Sequence, residues 1–202
     1  MIILITGSEG YIGKNLSKYL INDGFKVYGI DKKSKNKIDI KDKKKLSFFF
    51  KKIKPTIVVH LAARTDLKGD TVRDYNENII GTKNLIDVCN TAKSVKRVIF
   101  TSTMLVHNIR KKNFYKKKKF DPITKYGESK AIMERNIQKC KKNFSWCIIR
   151  PTTIWGEKMN NHMKLFLKLI KLGLYFNINY KKPILKSYGH VTNSCYQISK
   201  LI

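Results

Sequence analysis

Ile2-Ile3-Leu4-Ile5-Thr6-Gly7-Ser8-Glu9-Gly10-Tyr11-Ile12-Gly13-Lys14-Asn15 opens the chain, and its reading decides the fold. Four consecutive apolar residues, mostly β-branched, predict a short strand buried on both faces, as in the middle of a parallel sheet. Three glycines spaced by three follow, Gly7, Gly10 and Gly13, with no side chain to hold a ligand away from the backbone. Beyond them Ile12, Leu16, Tyr19 and Leu20 recur at helical spacing. Strand, glycine turn and helix together point free backbone N–H groups at a pyrophosphate. The spacing is G-x-x-G-x-x-G rather than G-x-G-x-x-G, so the placement between strand and helix carries the reading. A glycine turn that binds nothing is the bland alternative, and a second signal argues against it.

That signal is Asp31. Gly24-Phe25-Lys26-Val27-Tyr28-Gly29-Ile30 predicts the next strand, and Asp31 stands at its carboxyl end, 18 residues after Gly13. A carboxylate there accepts hydrogen bonds from adenosine ribose hydroxyls and repels a 2′-phosphate, which favours NAD over NADP. Lys32 and Lys33 follow directly and soften that repulsion.

At 202 residues the chain is long enough to bury a core, and its length suggests one domain or one plus a fragment. No apolar run approaches the ~20 residues of a membrane helix. The N-terminus lacks a basic n-region, which argues against a signal peptide and for a cytoplasmic location. Cys89, Cys140, Cys147 and Cys195 form no C-x-x-C pair, so reduced thiols and no metal site are expected. Against 14 acidic residues stand 43 Lys and Arg, a formal charge of +29. Such an excess attracts nucleic acid or anionic surfaces. Nearly all of it is lysine spread along the chain, whereas sites that grip bases or phosphates bidentately favour arginine. A solvated basic surface is therefore expected rather than a nucleic-acid footprint.

After a lysine-rich connection and Asp39-Ile40, a helical segment is expected in which Leu46, Phe49, Phe50 and Ile53 fall on one face, and Pro55 ends it. Thr56-Ile57-Val58-Val59-His60-Leu61 predicts a third strand, and Ala62-Ala63 at its end are small enough for a nucleotide to lie across them. A long helix is expected from about Asp70 to Thr91. Val98-Ile99-Phe100-Thr101-Ser102-Thr103 predicts a fourth strand whose terminal hydroxyls face the ligand crevice. The loop with Lys116 to Lys119 is expected to be solvated. A helix then runs to about Cys140, with Tyr126 and Lys130 four residues apart on one face. Trp146-Cys147-Ile148-Ile149-Arg150 predicts a fifth strand. Alternating strands and helices imply an α/β fold, a Rossmann-type doubly wound parallel sheet with helices on both faces.

At this point the sequence resembles the extended short-chain dehydrogenase/reductase family, the NAD-dependent sugar-nucleotide epimerases and dehydratases. The matching residues are the Thr6–Gly13 loop, Asp31, Asp39-Ile40, His60-Leu61-Ala62-Ala63, Asn78-Ile79-Ile80-Gly81-Thr82-Lys83-Asn84-Leu85, Thr101-Ser102-Thr103, Tyr126-x-x-x-Lys130 and Arg150-Pro151-Thr152-Thr153-Ile154-Trp155-Gly156. They occur in the family's order and cover residues 1 to about 156. The resemblance implies an NAD-binding Rossmann domain over 1–156 and a partial substrate-binding region over 157–202. It implies cofactor contacts from Gly7, Gly10, Tyr11, Ile12, Gly13, Asp31, Asp39, Ile40, Leu61, Ala62, Ala63, Asn78, Tyr126 and Lys130. Tyr126 would abstract the proton from a sugar hydroxyl while hydride leaves for the nicotinamide, with Lys130 holding the nicotinamide ribose. A free tyrosine, with a pKa near 10, is too weakly acidic for such a base, and an ammonium beside it favours the phenolate. Thr103 would bond the reacting oxygen, and Thr103, Arg150 and Thr153 would face the substrate, a nucleotide sugar. A homodimer through the helices after the third and fourth strands is a further implication.

Where the family's dehydratases place Asp-Glu after the catalytic Thr, Met104-Leu105 stand here, which disfavours elimination. His107 replaces the tyrosine of the usual Val-Tyr-Gly and is expected at the pocket edge. Lys164 to Phe176 reads as the first substrate-domain helix, or as a segment lying on a membrane surface. Lys186 to Asn193 resembles the family's returning strand, with Thr192-Asn193 in place of its acids. The chain then stops at Ile202, where family members continue. An epimerase acting by transient oxidation is the expectation. Its rivals are a truncated, weakly active NAD-binding member and a basic Rossmann module for RNA or anionic surfaces.

Overall fold

The protein is described by a computed structural model that covers residues 1–35, 37–111, 119–157, 159, 161–174 and 187–202. All five expected strands form: β1 Ile2–Thr6, β2 Lys26–Ile30, β3 Ile57–His60, β4 Arg97–Thr101 and β5 Ser145–Ile149. They make one parallel sheet in the order β2-β1-β3-β4-β5. The order reverses between β1 and β3, the switch point where ligands bind in open α/β sheets.

Strand side chains alternate between two apolar layers because the strand period is two. Leu4, Val58, Val98 and Phe100 point to one layer. There they meet α2 Lys43–Ile53, α3 Asn76–Thr91 and α4 Lys125–Lys139 through Phe50, Leu85, Met133 and their neighbours. Ile3, Ile5, Val59 and Ile99 point the other way, onto Leu16 and Leu20 of α1 Tyr11–Asn22. That second layer also holds Val191, Cys195 and Ile198, the i, i+4, i+7 stripe of α6 Val191–Ser199. The last helix of the chain is thus built into the core of the sheet.

Local chemistry sets the helix ends. The Asp42 carboxylate accepts from the Lys45 N–H at 3.0 Å and starts α2. Lys54, left-handed at φ 48°, stops it one residue ahead of Pro55. The long helix expected from Asp70 is broken. A 3₁₀ turn, Val72–Tyr75, comes first, closed by reciprocal bonds between Thr71 and Asp74, and α3 begins only at Asn76. Tyr75 forces the break, since its hydroxyl donates to the Asp66 carbonyl at 2.8 Å and pulls that turn toward the preceding loop. Beyond β5, the short strands β6 Thr153–Trp155 and β7 Tyr188–His190 pair in parallel, with α5 Asn161–Lys171 between them in sequence. Lys116 to Lys118, the end of the helix expected to Phe176, and Lys186 lie outside the described residues.

Candidate active site

The three glycines of the first turn serve one carbonyl group. A Cβ on Gly13 would collide with the Gly7 carbonyl oxygen, and one on Gly10 would sit 3.1 Å from it. Gly7 itself has φ +72°, and a Cβ there would lie 2.6 Å from the Ala62 nitrogen. Only glycine lets β1, the turn and the loop after β3 approach so closely. The helix that follows starts at Gly10 without a side-chain cap and has no acid in its first turn. Its orphan N–H groups and the positive end of its dipole are left for an anion.

A cleft of about 470 Å³ runs from this turn along the strand ends. Gly7, Gly10, Tyr11, Ile12, Gly13, Asp31, Ile40, Leu61, Ala62, Ala63, Tyr126 and Lys130, all named from the resemblance, line it. Asp31 is oriented by two backbone donors, Glu9 N–H at 3.3 Å and Lys33 N–H at 3.0 Å. Asp39, by contrast, does not line the cleft; its carboxylate stands 3.5 Å from the Lys32 ammonium. Lys32 also sits 2.7 Å from Glu77 at the cleft mouth. Burial works against its charge, but the bonds to Glu77 and Asp39 outweigh it and hold Lys32 above its usual pKa. The Lys32–Glu77 pair was not legible, because a contact between residues 45 apart has no local signature.

Behind Ala62 lies a directed chain of hydrogen bonds. Thr82 Oγ1 donates to the Asn78 carbonyl at 2.8 Å, so it accepts from His60 Nε2 at 2.9 Å. His60 Nδ1 is then an acceptor for Thr6 Oγ1 at 2.7 Å, and Thr6 in turn accepts the Ala62 N–H at 3.2 Å. Burial, with Lys130 adding to it, pushes His60 down to about 3 and keeps it neutral.

Tyr126 and Lys130 come from the first turns of α4. The Thr124 hydroxyl accepts from the Gly127 N–H at 3.0 Å and caps the helix. Gly127, which could carry no Cβ beside the Leu105 carbonyl oxygen, lets the helix seat on the turn after Thr103. Tyr126 is 8% exposed, with the Thr103 side chain near enough to favour its phenolate. The Lys130 ammonium donates to the Thr101 carbonyl at 2.8 Å. Burial pushes Lys130 down to about 8, with Glu134 pulling the other way. Burial also pushes Tyr126 up to about 12, against the pull of Thr103. The expectation that Lys130 lowers the phenol therefore does not hold for the protein alone, where desolvation outweighs the one opposing influence, that of Thr103.

A second cleft, of about 730 Å³, shares Ile12, Leu61, Thr101, Thr103, Tyr126 and Thr153 with the first. The two meet at the Tyr126–Thr103 pair. Of the residues assigned from the resemblance, Asn78 and His107 line neither cleft, whereas Arg150 does. Asn78 is fully buried and lines neither cleft; its amide holds the Arg64 backbone and Ser129 Oγ. Arg150 lines the second cleft, but its guanidinium is locked in a bidentate pair with the fully buried Glu134, at 2.9 and 2.7 Å. His107 is buried behind Arg150 rather than at the pocket edge. Glu134 was missed, although its i+4 spacing from Lys130 puts both on one helical face.

Ser102 Oγ and Thr101 Oγ1 are buried along the first cleft with no hydrogen-bond partner among the described residues. Unpartnered hydroxyls, an uncapped helix start and a cradle that a Cβ would fill fit a dinucleotide diphosphate. Among the described residues there is no cluster of metal-ligating side chains, and no helix is long and apolar enough to cross a membrane.

Known proteins place the architecture. A UDP-glucose 4-epimerase of Thermus thermophilus, solved in complex with NAD, superposes at TM-score 0.81 with 21% identity, over 99% of this chain and 74% of that one. A UDP-glucose 4-epimerase of Thermotoga maritima, solved with UDP-glucose, superposes at 0.83 with 22% identity, over 97% of this chain and 71% of that one. In sequence, the chain is 28% identical over 194 residues to the N-acetyl-alpha-D-glucosaminyl-diphospho-ditrans,octacis-undecaprenol 4-epimerase of Escherichia coli O157:H7, covering 89% of this chain and 58% of the relative. It is 29% identical to a dTDP-D-glucose 4,6-dehydratase of Dictyostelium discoideum, covering 99% of this chain and 53% of the relative. The chain thus spans little more than half the length of these curated relatives. Residues 3–201 match the family model throughout, and the chain belongs to the NAD dependent epimerase/dehydratase family.

Proposed function

We propose that this chain acts as an NAD-dependent nucleotide-sugar epimerase that works by transient oxidation of a sugar hydroxyl. The observation that carries the reading is the Tyr126–Thr103 hydroxyl pair standing where the two clefts meet, with the Lys130 ammonium buried alongside. In this reading the start of α1 and the Gly7–Gly13 turn hold the diphosphate, and Asp31 accepts from the adenosine ribose. Asp31 disfavours a 2′-phosphate, so NAD is the cofactor rather than NADP. When bound, NAD supplies the hydride acceptor and a positive charge.

The protein's own part is to position and to move a proton. Thr103 and Tyr126 converge on one reacting oxygen, and Tyr126 takes its proton as the carbon–hydrogen bond breaks and returns it afterwards. With its phenol held near 12 by burial, Tyr126 is protonated in the resting protein. Positive charge in the first cleft is what draws the phenolate out, and Lys130 contributes it only below about pH 8. Met104-Leu105 provide no acid for eliminating water, which separates this site from 4,6-dehydration. Ser187, Ser194, Gln197, Ile198 and Leu201 line one side of the second cleft, the proposed substrate site.

Incubating the protein with NAD and a panel of nucleotide sugars tests the reading. Transient nicotinamide reduction with appearance of an epimeric sugar is the expected result. NAD binding without conversion of any sugar would contradict it.

A further inference from the structure

Lys32 follows Asp31 directly and lines the same end of the first cleft. In a dinucleotide site, a cation beside the strand-end acid accommodates a 2′-phosphate that the acid alone would repel. Lys32 is committed elsewhere. Its ammonium stands 2.7 Å from the Glu77 carboxylate and 3.5 Å from that of Asp39.

Both acids are placed by the fold. Glu77 stands in the first turn of α3, where the helix dipole favours a negative charge. The 3₁₀ turn Val72–Tyr75 fixes where that helix starts, and the residue after Glu77, Asn78, is buried and bonded to the Arg64 backbone and Ser129. Asp39 accepts the Lys41 N–H at 2.8 Å, and its segment is docked onto α3. There the Asn84 amide donates to the Ile40 and Lys41 carbonyls at 3.2 and 2.9 Å, and Gly81 leaves no room for a Cβ beside Ile40. Lysine is a compact charge on a flexible stem, so it goes to carboxylates that are already fixed.

We infer that Glu77 is a positioning residue for cofactor choice: with Asp39 it draws the Lys32 ammonium away from the place of a 2′-phosphate and leaves the Asp31 charge uncompensated. The neighbouring lysine that would soften the repulsion is thereby disarmed by an acid 45 positions further along the chain. This rests on the reading of the first cleft as the dinucleotide site, and it is measurable without any sugar substrate.

The test is fluorescence titration of NAD and of NADP into the parent protein, Glu77→Gln, Lys32→Met and the variant carrying both, at low ionic strength. Glu77→Gln should raise NADP affinity relative to NAD by about three- to tenfold, the range expected when an exposed ion pair releases its cation. With Lys32→Met also present, that gain should fall to about twofold or less. An unchanged ratio in Glu77→Gln overturns the inference. So does a gain of the same size in the double variant, which would mean that Glu77 acts by its own charge or that Lys33 supplies the cation. A marked loss of NADP affinity in Lys32→Met alone also overturns it, because Lys32 would then already serve the phosphate. A parent protein that binds neither dinucleotide overturns the reading of the cleft and the inference with it, whereas NAD binding with no response to Glu77→Gln overturns the inference alone.

Discussion

The two clefts that meet at Tyr126 are built by opposite means. The first is made chiefly of backbone: Gly10 and Gly13 packed on the Gly7 carbonyl, Gly7 on the Ala62 backbone, and an uncapped helix start. The second is made of side chains, aliphatic and polar, drawn from six separated stretches of the chain. A backbone cradle tolerates almost no change at its glycines and is blind to most other residues. A side-chain wall can be rebuilt one residue at a time. One fold can thus keep its cofactor chemistry and vary its substrate.

Breaking the second cleft from behind has the largest expected effect. Arg150→Met leaves the fully buried Glu134 carboxylate without its bidentate partner, which should cost about 3–5 kcal/mol of stability in denaturant unfolding. Arg150→Met combined with Glu134→Leu should recover most of that loss, because the uncompensated charge is gone. Unchanged stability in the single variant would show that the pair with Glu134 contributes nothing to the fold.

Gly13→Ala attacks the first cleft alone. The new methyl meets the Gly7 carbonyl oxygen, and overpacking of about 1–3 kcal/mol should appear as a roughly ten- to hundredfold loss of NAD affinity. Nucleotide-sugar binding in the absence of NAD should change far less. Equal loss of both ligands would show that the clefts are not independent.

Acid tests the relay behind Ala62. His60 binds its proton at about 3 in the folded protein and at about 6.5 when unfolded, so the unfolded state takes up protons first. Stability should fall as pH drops through that window, by roughly 1.4 kcal/mol per unit until His60 is protonated in both states. His60→Gln should flatten the slope in pH-dependent unfolding. The smallest expected effect belongs to Asp31→Asn, which removes the charge that repels a 2′-phosphate. It should narrow the preference for NAD over NADP by about tenfold in fluorescence titration.

The same contrast explains what could be read from the chain. The first cleft was legible because glycines at a turn, a strand before them and an acid at the next strand's end are local patterns with one physical meaning. The parallel sheet was legible for a similar reason, in unbroken apolar runs such as Ile57-Val58-Val59. The inward turn of Asn78 and the bond between Arg150 and Glu134 were not legible, because residue type does not reveal which polar groups fold onto each other. Tyr126 kept its place but not its expected acidity, since burial is a property of packing. The wall of the second cleft was invisible as a wall: Met104-Leu105 stood out as a departure, yet Ile154, Ile198 and Leu201 reach it only through the tertiary fold.

The claim on which the rest depends is that Tyr126 moves the proton where the two clefts join. Tyr126→Phe keeps the ring and removes only the hydroxyl, so one comparison decides it: sugar turnover in this variant and the parent protein, with NAD affinity measured on both. The account predicts unchanged NAD binding and a turnover reduced by about a hundred- to ten-thousandfold. Full turnover in the variant would contradict it.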